Sequence, residues 1–178
     1  MHAPTLDPVA FTLRDGSAVT VRPVHPGDRD ALQAAIRGLS LESRHSRFFS
    51  PLRELPPTLL DRATRPDPER ERQLVAVASD GSAERIVGGA RYAATSTAGD
   101  CEFAVAIVDD WTGRGLARRL LEMLMHDARR RGICRMEGFV LTTNTGMLAL
   151  ARRLGFVESA SSEGPTVRLV RRDLTLVR

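Results

Sequence analysis

The stretch Asp110-Trp111-Thr112-Gly113-Arg114-Gly115-Leu116-Ala117 separates two kinds of hydrophobic pattern. Before it, Cys101–Val108 has the character of a β-strand. Glycines between a strand and a helix let backbone N–H groups turn towards one point, and the helix adds its own unsatisfied N–H donors and positive end. The stretch therefore predicts an anion site suited to a pyrophosphate. Apolar residues recur at helical spacing after it, up to Gly132, at Leu116, Leu120, Met123, Leu124 and Ala128.

The predicted anion site uses the backbone of the loop, with a charged contact from the first turn of the helix. Two glycines before a helix also make an ordinary tight turn, so this spacing alone is a weak signal. The third glycine of the dinucleotide fingerprint is absent, and so is the Gly-Lys-Ser/Thr of a P-loop. The predicted ligands are Gly113, Arg114, Gly115, Leu116, Ala117 and Arg118.

Strands and helices on both sides of this loop follow from hydrophobic spacing and turn residues. Their order predicts an α/β protein of one domain, residues 1–178, with a mixed, mostly antiparallel sheet and helices on both faces. The predicted elements before the loop are a hairpin over Val9–Arg22, helices over Ala31–Leu39, Leu41–Phe49 and Pro57–Thr64, and strands over Gln73–Ser79, Arg85–Ala94 and Cys101–Val108. Those after it are helices over Leu116–Ala128 and Met147–Leu154 and strands over Arg135–Leu141, Phe156–Ser159 and Thr166–Leu174.

Charge and composition argue against several classes of function. The net charge is +4, but acidic residues are interspersed with the 26 basic ones, all of them arginine, so no continuous basic stripe indicates nucleic-acid binding. No apolar run approaches the roughly 18 residues that span a bilayer. The start, Met1–Asp7, lacks the features of a signal peptide, so we expect a cytoplasmic protein without a membrane partner. The four histidines show no metal-ligand spacing, and no metal is expected.

Two motifs resemble the GNAT superfamily of N-acetyltransferases. Thr112–Ala117 matches the family loop Gln/Arg-x-x-Gly-x-Gly/Ala except at Thr112, and Asn144-Thr145-Gly146-Met147 leads into the second motif, Arg152–Phe156. The resemblance covers nearly the whole chain. It implies acetyl-CoA as acyl donor, bound in a cleft where two neighbouring parallel strands splay apart. Val105 and Ile107 would then lie along the pantetheine arm, and Asn144 would contact the coenzyme, although a helix cap is its other interpretation.

Further segments look like the acyltransferase domain of bacterial Pat protein-lysine acetyltransferases. This likeness implies direct attack of a primary amine, with a protein lysine as the favoured acceptor. Acylation of a small amine or antibiotic stays open, and so does a non-catalytic acyl-CoA-binding module. The oligomeric state, monomer or homodimer, also stays open, with an open strand edge expected after Thr166. The segments are Leu13–Gly16, Val21–Pro23, Leu39–Arg44 and Arg47–Phe49.

Glu102 is the candidate general base, because an amine must lose a proton before it attacks a thioester. It resembles the glutamate that has this role in protein-acetylating GNAT enzymes. Burial is expected to raise its pKa towards a useful value, whereas a one-residue shift in register would turn it to solvent. A tyrosine general acid is not expected, because Ala151 occupies the usual position and the only tyrosine, Tyr92, lies in a different strand. Solvent would then protonate the leaving thiolate.

Overall fold

The computed structural model describes residues 6–50, 52–79, 81 and 83–175. Within these ranges an eight-stranded sheet carries five α-helices. The strands are β1 (Val9–Thr12), β2 (Ala18–Pro23), β3 (Glu71–Ser79), β4 (Glu84–Ala94), β5 (Asp100–Ile107), β6 (Arg135–Leu141), β7 (Val157–Ala160) and β8 (Val167–Asp173). The helices are α1 (Arg29–Arg37), α2 (Leu41–Phe48), α3 (Pro57–Thr64), α4 (Leu116–Arg130) and α5 (Thr145–Arg153).

The sheet has the order β1-β2-β3-β4-β5-β6-β8-β7, and only the β5–β6 pair is parallel. These two strands are paired at three positions, of which Glu102 opposite Glu137 is the last. Beyond it β5 continues to pair with β4 as far as Ile107, and β6 continues to pair with β8 as far as Leu141. The two strands therefore diverge, which confirms the mixed sheet and the splayed parallel pair.

Alternation along the strands assigns one face of the sheet to each group of helices. Phe103 and Tyr92 face the larger core under α4 and α5, where Leu120 and Leu124 of α4 are fully buried. The opposite face carries α1, α2 and α3 over a smaller core. Its buried residues are Leu32, Ile36, Leu60, Val75, Val77 and Ile86. Because Glu102 lies between Cys101 and Phe103, its side chain belongs to the face of α1 to α3.

A glycine lets the larger core continue beneath the point where β5 and β6 part. A Cβ on Gly138 of β6 would lie 2.6 Å from the ring of Phe103, so any larger residue would displace that ring. The Phe103 ring also contacts Phe156, with ring centroids 5.2 Å apart. An aromatic pair thus fills the space below the cleft, where the two strands no longer exchange hydrogen bonds.

Two details differ from the sequence expectations. The helix predicted over Ala31–Leu39 extends instead over Arg29–Arg37, and a short 3-10 helix over Pro26–Asp28 precedes it. The strand after Thr166 is not an open edge, because β8 pairs with β6 on one side and β7 on the other, which leaves β1 and β7 at the edges. No helix of the described residues is long and apolar enough to cross a membrane.

Candidate active site

A cleft of about 840 Å³ opens where β5 and β6 diverge. One of its ends is formed by the loop before α4, and the other lies between β5 and α2. The structure thereby brings together most of the residues predicted from sequence, which are far apart in the chain. Those that line the cleft are Glu102, Val105, Ile107, Gly113, Gly115, Leu116, Ala117, Arg118 and Asn144.

The loop end of the cleft has the backbone shape that an anion site requires. Gly113 and Gly115 have φ angles of 75° and 91°, a left-handed conformation that residues with a Cβ rarely adopt. Gly115 caps α4, whose first N–H groups have no partner within the helix. The Leu116 side chain is buried in the core, so its N–H is the part of this residue that is suited to an anion. These features fit a pyrophosphate held mainly by backbone donors.

The arginines of the loop are already engaged within the protein. Arg114 is absent from the cleft wall: its guanidinium pairs with Asp15 at 2.8 Å, bonds to Ser17 at 3.0 Å and stacks on Trp111 at 4.5 Å. The hairpin between β1 and β2 thus holds the guanidinium, and the predicted role of Arg114 in the loop is left to its backbone N–H. Arg118 does line the cleft, although its Nε donates to Glu122 at 2.8 Å.

Arg14, in the β1–β2 turn, is the cation that the structure adds to this end of the cleft. It lines the cleft, and its Nε lies 3.7 Å from where a Cβ of Gly115 would stand. It forms no hydrogen bond or ion pair with the residues that the structure describes. In the sequence, Arg14 is only part of a segment that resembles the family. Nothing in the local sequence indicates that the hairpin lies next to a loop about a hundred residues away.

Val105, Ile107 and Asn144 form the middle of the cleft. Val105 and Ile107 pack partly on the larger core, and their strand edge faces the gap left by β6. That edge can pair with an extended, amide-containing chain as another strand would. Asn144 acts as the N-cap of α5, accepting from the Met147 N–H at 3.1 Å, so the helix-cap interpretation is confirmed while the residue also borders the cleft.

Glu102 lies where the paired part of β5 ends. Its side chain lines the cleft, remains exposed, and forms no hydrogen bond or close ion pair with a described residue. Partial desolvation, and then the carboxylate of Glu137 beside it, raises the pKa of Glu102, against the opposing effects of Arg91 and Arg47. The expected increase in pKa is thus present, but the expected burial is incomplete, because the side chain faces the open cleft.

A second cavity of about 260 Å³ lies against the same face as Glu102, beneath α1, α2 and α3. Its floor is formed by small residues of β4 and β5, among them Gly89 and Ala104. Arg47, Phe48, Ala104 and Ala106 border both this cavity and the cleft. The two spaces therefore meet at one wall, beside the carboxylate of Glu102.

Tyr92 is excluded as an acid in the cleft. It is fully buried on the α4 face, where its hydroxyl donates to Asp127 at 2.7 Å and accepts from Arg131 at 2.9 Å. Burial and the Asp127 carboxylate raise its pKa. In the described part of the chain, no three His, Cys, Asp or Glu side chains are grouped so as to hold a metal ion.

Asp109 connects the segment before the glycine loop to the start of α2. Its carboxylate accepts from the Ser40 N–H at 2.6 Å and from the Ser43 hydroxyl, so it docks the N-terminus of α2 beside the loop. The adjacent Asp110 instead pairs with Arg85 on the surface, at 2.7 Å. Neither contact has a signal in the local sequence, because Ser40 and Asp109 are brought together only by the fold.

Comparison with known proteins agrees with this geometry. Residues 39–156 match the model of the Acetyltransferase (GNAT) family. A Pseudomonas aeruginosa protein named Acetyltransferase PA5475 is 36% identical over 155 residues, which cover 87% of this chain and 83% of that protein. Acetyltransferase Pat of Mycolicibacterium smegmatis is 30% identical over 153 residues, which are 85% of this chain but only 45% of that longer protein.

Solved structures show the same likeness. The GNAT domain of S. lividans PAT superposes with a TM-score of 0.84 at 30% identity, over 93% of this chain and 96% of that one. At the level of the fold, yncA from Salmonella typhimurium, solved with its cofactor acetyl-CoA, superposes with a TM-score of 0.69 at 21% identity, over 88% of this chain and 94% of that one. With its splayed strands and glycine loop, this chain belongs to the GNAT family of acetyltransferases.

Proposed function

We propose that this protein transfers the acetyl group of acetyl-CoA to a primary amine by direct attack, with Glu102 as general base. The observation that carries the proposal is the position of the Glu102 carboxylate. It lines the cleft at the point where β5 leaves β6, while the glycine loop lies at the other end of the same cleft. An acyl donor that spans the cleft would thus present its thioester beside a carboxylate.

Donor binding is assigned to the loop and to the exposed edge of β5. The backbone from Gly113 to Ala117 would hold the pyrophosphate, with charged contacts from Arg14 and Arg118. The edge of β5 near Val105 and Ile107 would hydrogen-bond the pantetheine amides, because β6 has moved away from it. Asn144 would border the same arm. No metal is needed in this scheme, since the thioester is already an activated acyl group.

Proton transfer is assigned to Glu102 and to solvent. The ionised carboxylate takes a proton from the incoming ammonium, directly or through a water, and its raised pKa makes it a stronger base than an ordinary glutamate. Backbone N–H groups of β5 at the splay would stabilise the oxygen of the tetrahedral intermediate. Ala151 occupies the usual position of a tyrosine acid, and Tyr92 is buried on the other face of the sheet. Solvent therefore protonates the departing thiolate.

The favoured acceptor is the ε-amino group of a protein lysine, acetylated in the cytoplasm. This choice is supported by the similarity to the GNAT domain of S. lividans PAT and by the carboxylate of Glu102 in the cleft, which favours a cationic side chain. A small amine is the second candidate, favoured by one observation. The 260 Å³ cavity beside Glu102 is of a size that a small apolar acceptor would fill.

The test follows label from acetyl-CoA into a cell extract, with protein and small-molecule fractions analysed separately. The chain contains no lysine, so every acetyl-lysine found must lie on another protein. Glu102→Gln is expected to lower turnover by about 10²- to 10⁴-fold while leaving acetyl-CoA affinity nearly unchanged. Glu42→Gln is the matched control, because Glu42 is another carboxylate of the cleft wall.

Each result selects among the functions. Glu102-dependent label on protein lysines supports the favoured acceptor, and label restricted to small amines transfers the assignment to the second candidate. Full activity of Glu102→Gln at every pH would refute the role of Glu102. Coenzyme binding without transfer into either fraction would indicate a non-catalytic acyl-CoA-binding module.

A further inference from the structure

Arg47 is a cation at the wall shared by the cleft and the second cavity. It lies on α2 and is partly buried, and it borders both spaces together with Ala104 of β5, while the nearby carboxylate of Glu102 favours its charged form. Its guanidinium stacks 4.8 Å from the ring of Phe48, but it forms no hydrogen bond or ion pair with any described residue. A partly desolvated cation without a hydrogen bond or a close ion pair is held at some cost to the stability of the folded protein. A position that tolerates this cost is suited to an anion that arrives with the reaction.

The position of Arg47 is fixed by contacts at the other end of its helix. Asp109 accepts hydrogen bonds from Ser40 and Ser43 at the start of α2, and this aspartate immediately precedes the glycine-loop region. The helix that carries Arg47 is thereby docked to the segment expected to hold the coenzyme. Burial, and then the charge of Arg91, lowers the pKa of Arg47 to about 10, so the guanidinium remains cationic at neutral pH.

The anion that would meet Arg47 follows from the charges of the reaction. The acceptor amine is cationic before it reacts, and a carboxylate, Glu102, is available for it. The thioester is neutral at first and becomes negative during the transfer. No tyrosine lies at the cleft to neutralise that charge, because Tyr92 is bonded to Asp127 on the other face of the sheet.

We infer that Arg47 is a catalytic residue whose guanidinium lies against the thioester and stabilises the negative charge that forms on its oxygen and on the leaving sulfur. The inference rests on the proposed function. Glu102 takes one proton from the ammonium, and the amine nitrogen then forms a bond to the carbonyl carbon, whose π electrons move to oxygen, while the second N–H proton is lost to water. The C=O bond then re-forms as the C–S bond breaks. The electron pair leaves with sulfur as a thiolate beside Arg47, and water protonates it.

The test measures the pKa of the thiol of bound CoA, which is a product of the reaction and needs no acceptor. The pH dependence of alkylation of bound CoA by iodoacetamide is followed by mass spectrometry of the coenzyme, with free CoA as reference. A cation within about 4–6 Å lowers the pKa of such a group by about one to three. The wild-type protein is therefore expected to lower the thiol pKa, and Arg47→Gln to return it close to that of free CoA.

Arg47→Lys and Arg62→Gln complete the series. The lysine variant keeps a charge and should retain part of the lowered thiol pKa. Arg62 lines the second cavity but not the cleft, and it pairs with Glu71 at 2.6 Å, so its loss should leave the thiol pKa unchanged. Turnover of Arg47→Gln should fall by about 10²-fold at unchanged CoA affinity, which also shows that the variant is folded.

Two results overturn the inference. One is the same thiol pKa for bound CoA in the wild-type and Arg47→Gln proteins. The other is a change confined to the acceptor KM, which would mean that Arg47 binds an anionic group of the acceptor. Both results leave acetyl transfer itself intact. Failure of the proposed function appears separately, as the absence of any acetylated product from the wild-type protein.

Discussion

The two ends of the cleft are built in different ways. The coenzyme end comes mainly from one contiguous stretch, Gly113–Ala117, and presents backbone N–H groups whose direction depends on two glycines. The other end, where we propose that the acceptor binds, uses side chains from separate elements, above all Glu102 of β5 and Arg47 of α2. A ligand bound by backbone would tolerate side-chain changes, and the proposed mode of binding is therefore compatible with Thr112 in place of the usual Gln or Arg. The acceptor end has no such tolerance, and we expect it to determine specificity.

Because the two ends of the cleft are separate, a substitution that distorts the glycine loop should weaken coenzyme binding and leave acceptor binding unchanged. Gly115→Val places a β-branched residue at φ 91°, which costs about 2 kcal/mol. We expect acetyl-CoA affinity to fall by about thirtyfold in calorimetry, with the acceptor KM little changed. Gly132→Val is the control, since Gly132 has φ 76° at the opposite end of α4. Equal losses of affinity in both variants would mean that general destabilisation, and not loop geometry, is responsible.

Arg14 and Arg114 are expected to have different roles at the coenzyme end, and separate substitutions would distinguish them. Arg14→Gln should weaken CoA binding by about tenfold, because a charge-assisted hydrogen bond contributes about 1.5–3 kcal/mol. Arg114→Gln should mainly lower the melting temperature, since Arg114 holds the hairpin through Asp15 and Trp111. Titrations with CoA and dephospho-CoA would show which phosphate Arg14 contacts. An Arg14→Gln protein with wild-type affinity for both would remove Arg14 from the site.

Asp109 connects the segment before the glycine loop to α2, which carries Arg47. Removal of its carboxylate should therefore affect the acceptor end through α2. Asp109→Ala removes the hydrogen bonds to Ser40 and Ser43. We expect kcat/KM for the acceptor to fall about fivefold, which corresponds to roughly 1 kcal/mol, with faster amide exchange in α2. Asp110→Ala removes only the exposed pair with Arg85 and should change neither quantity. A purely coenzyme-directed effect of Asp109→Ala would contradict this coupling.

The smallest expected effect concerns the pH dependence at the acceptor end. Glu102 works ionised, so activity falls as pH drops through its pKa, which desolvation and then Glu137 raise. Glu137→Gln removes one negative neighbour and should move the acidic limb of the kcat profile to lower pH, by less than about one unit. The other charges around Glu102, namely Arg91, Arg47 and Glu163, remain in this variant. A shift to higher pH would contradict this prediction, because Arg171, freed from its pair with Glu137, would also lower the pKa of Glu102.

Most of the fold followed from local pattern. The helix α3 and the strand β6 have the predicted bounds, and the other elements differ at their ends by a few residues. The exception was the expected open edge after Thr166. Hydrophobic spacing shows that a segment is a strand but not which strand lies beside it. The sequence therefore did not predict that β8 lies between β6 and β7 in the sheet.

The candidate site divides in the same way. The glycine loop and Glu102 were identified from short motifs, because their chemistry depends on residues adjacent in the chain. Arg114 was predicted as part of the loop that binds the anion through its backbone, and Arg14 and Arg47 were given no individual role. Which arginine is free and which is paired depends on contacts such as Arg114 with Asp15, between residues about a hundred positions apart.

The sequence by itself determined the family, the order of elements, the glycine loop and the placement of a carboxylate on the strand that leads to it. These features are set by local periodicity and by the conformational freedom of glycine. Only the tertiary structure decided where β5 parts from β6, which cations face the cleft, and that a second cavity meets it at Arg47. Those properties depend on strand register and on charges that folding brings together. Local sequence patterns carry no direct signal for either.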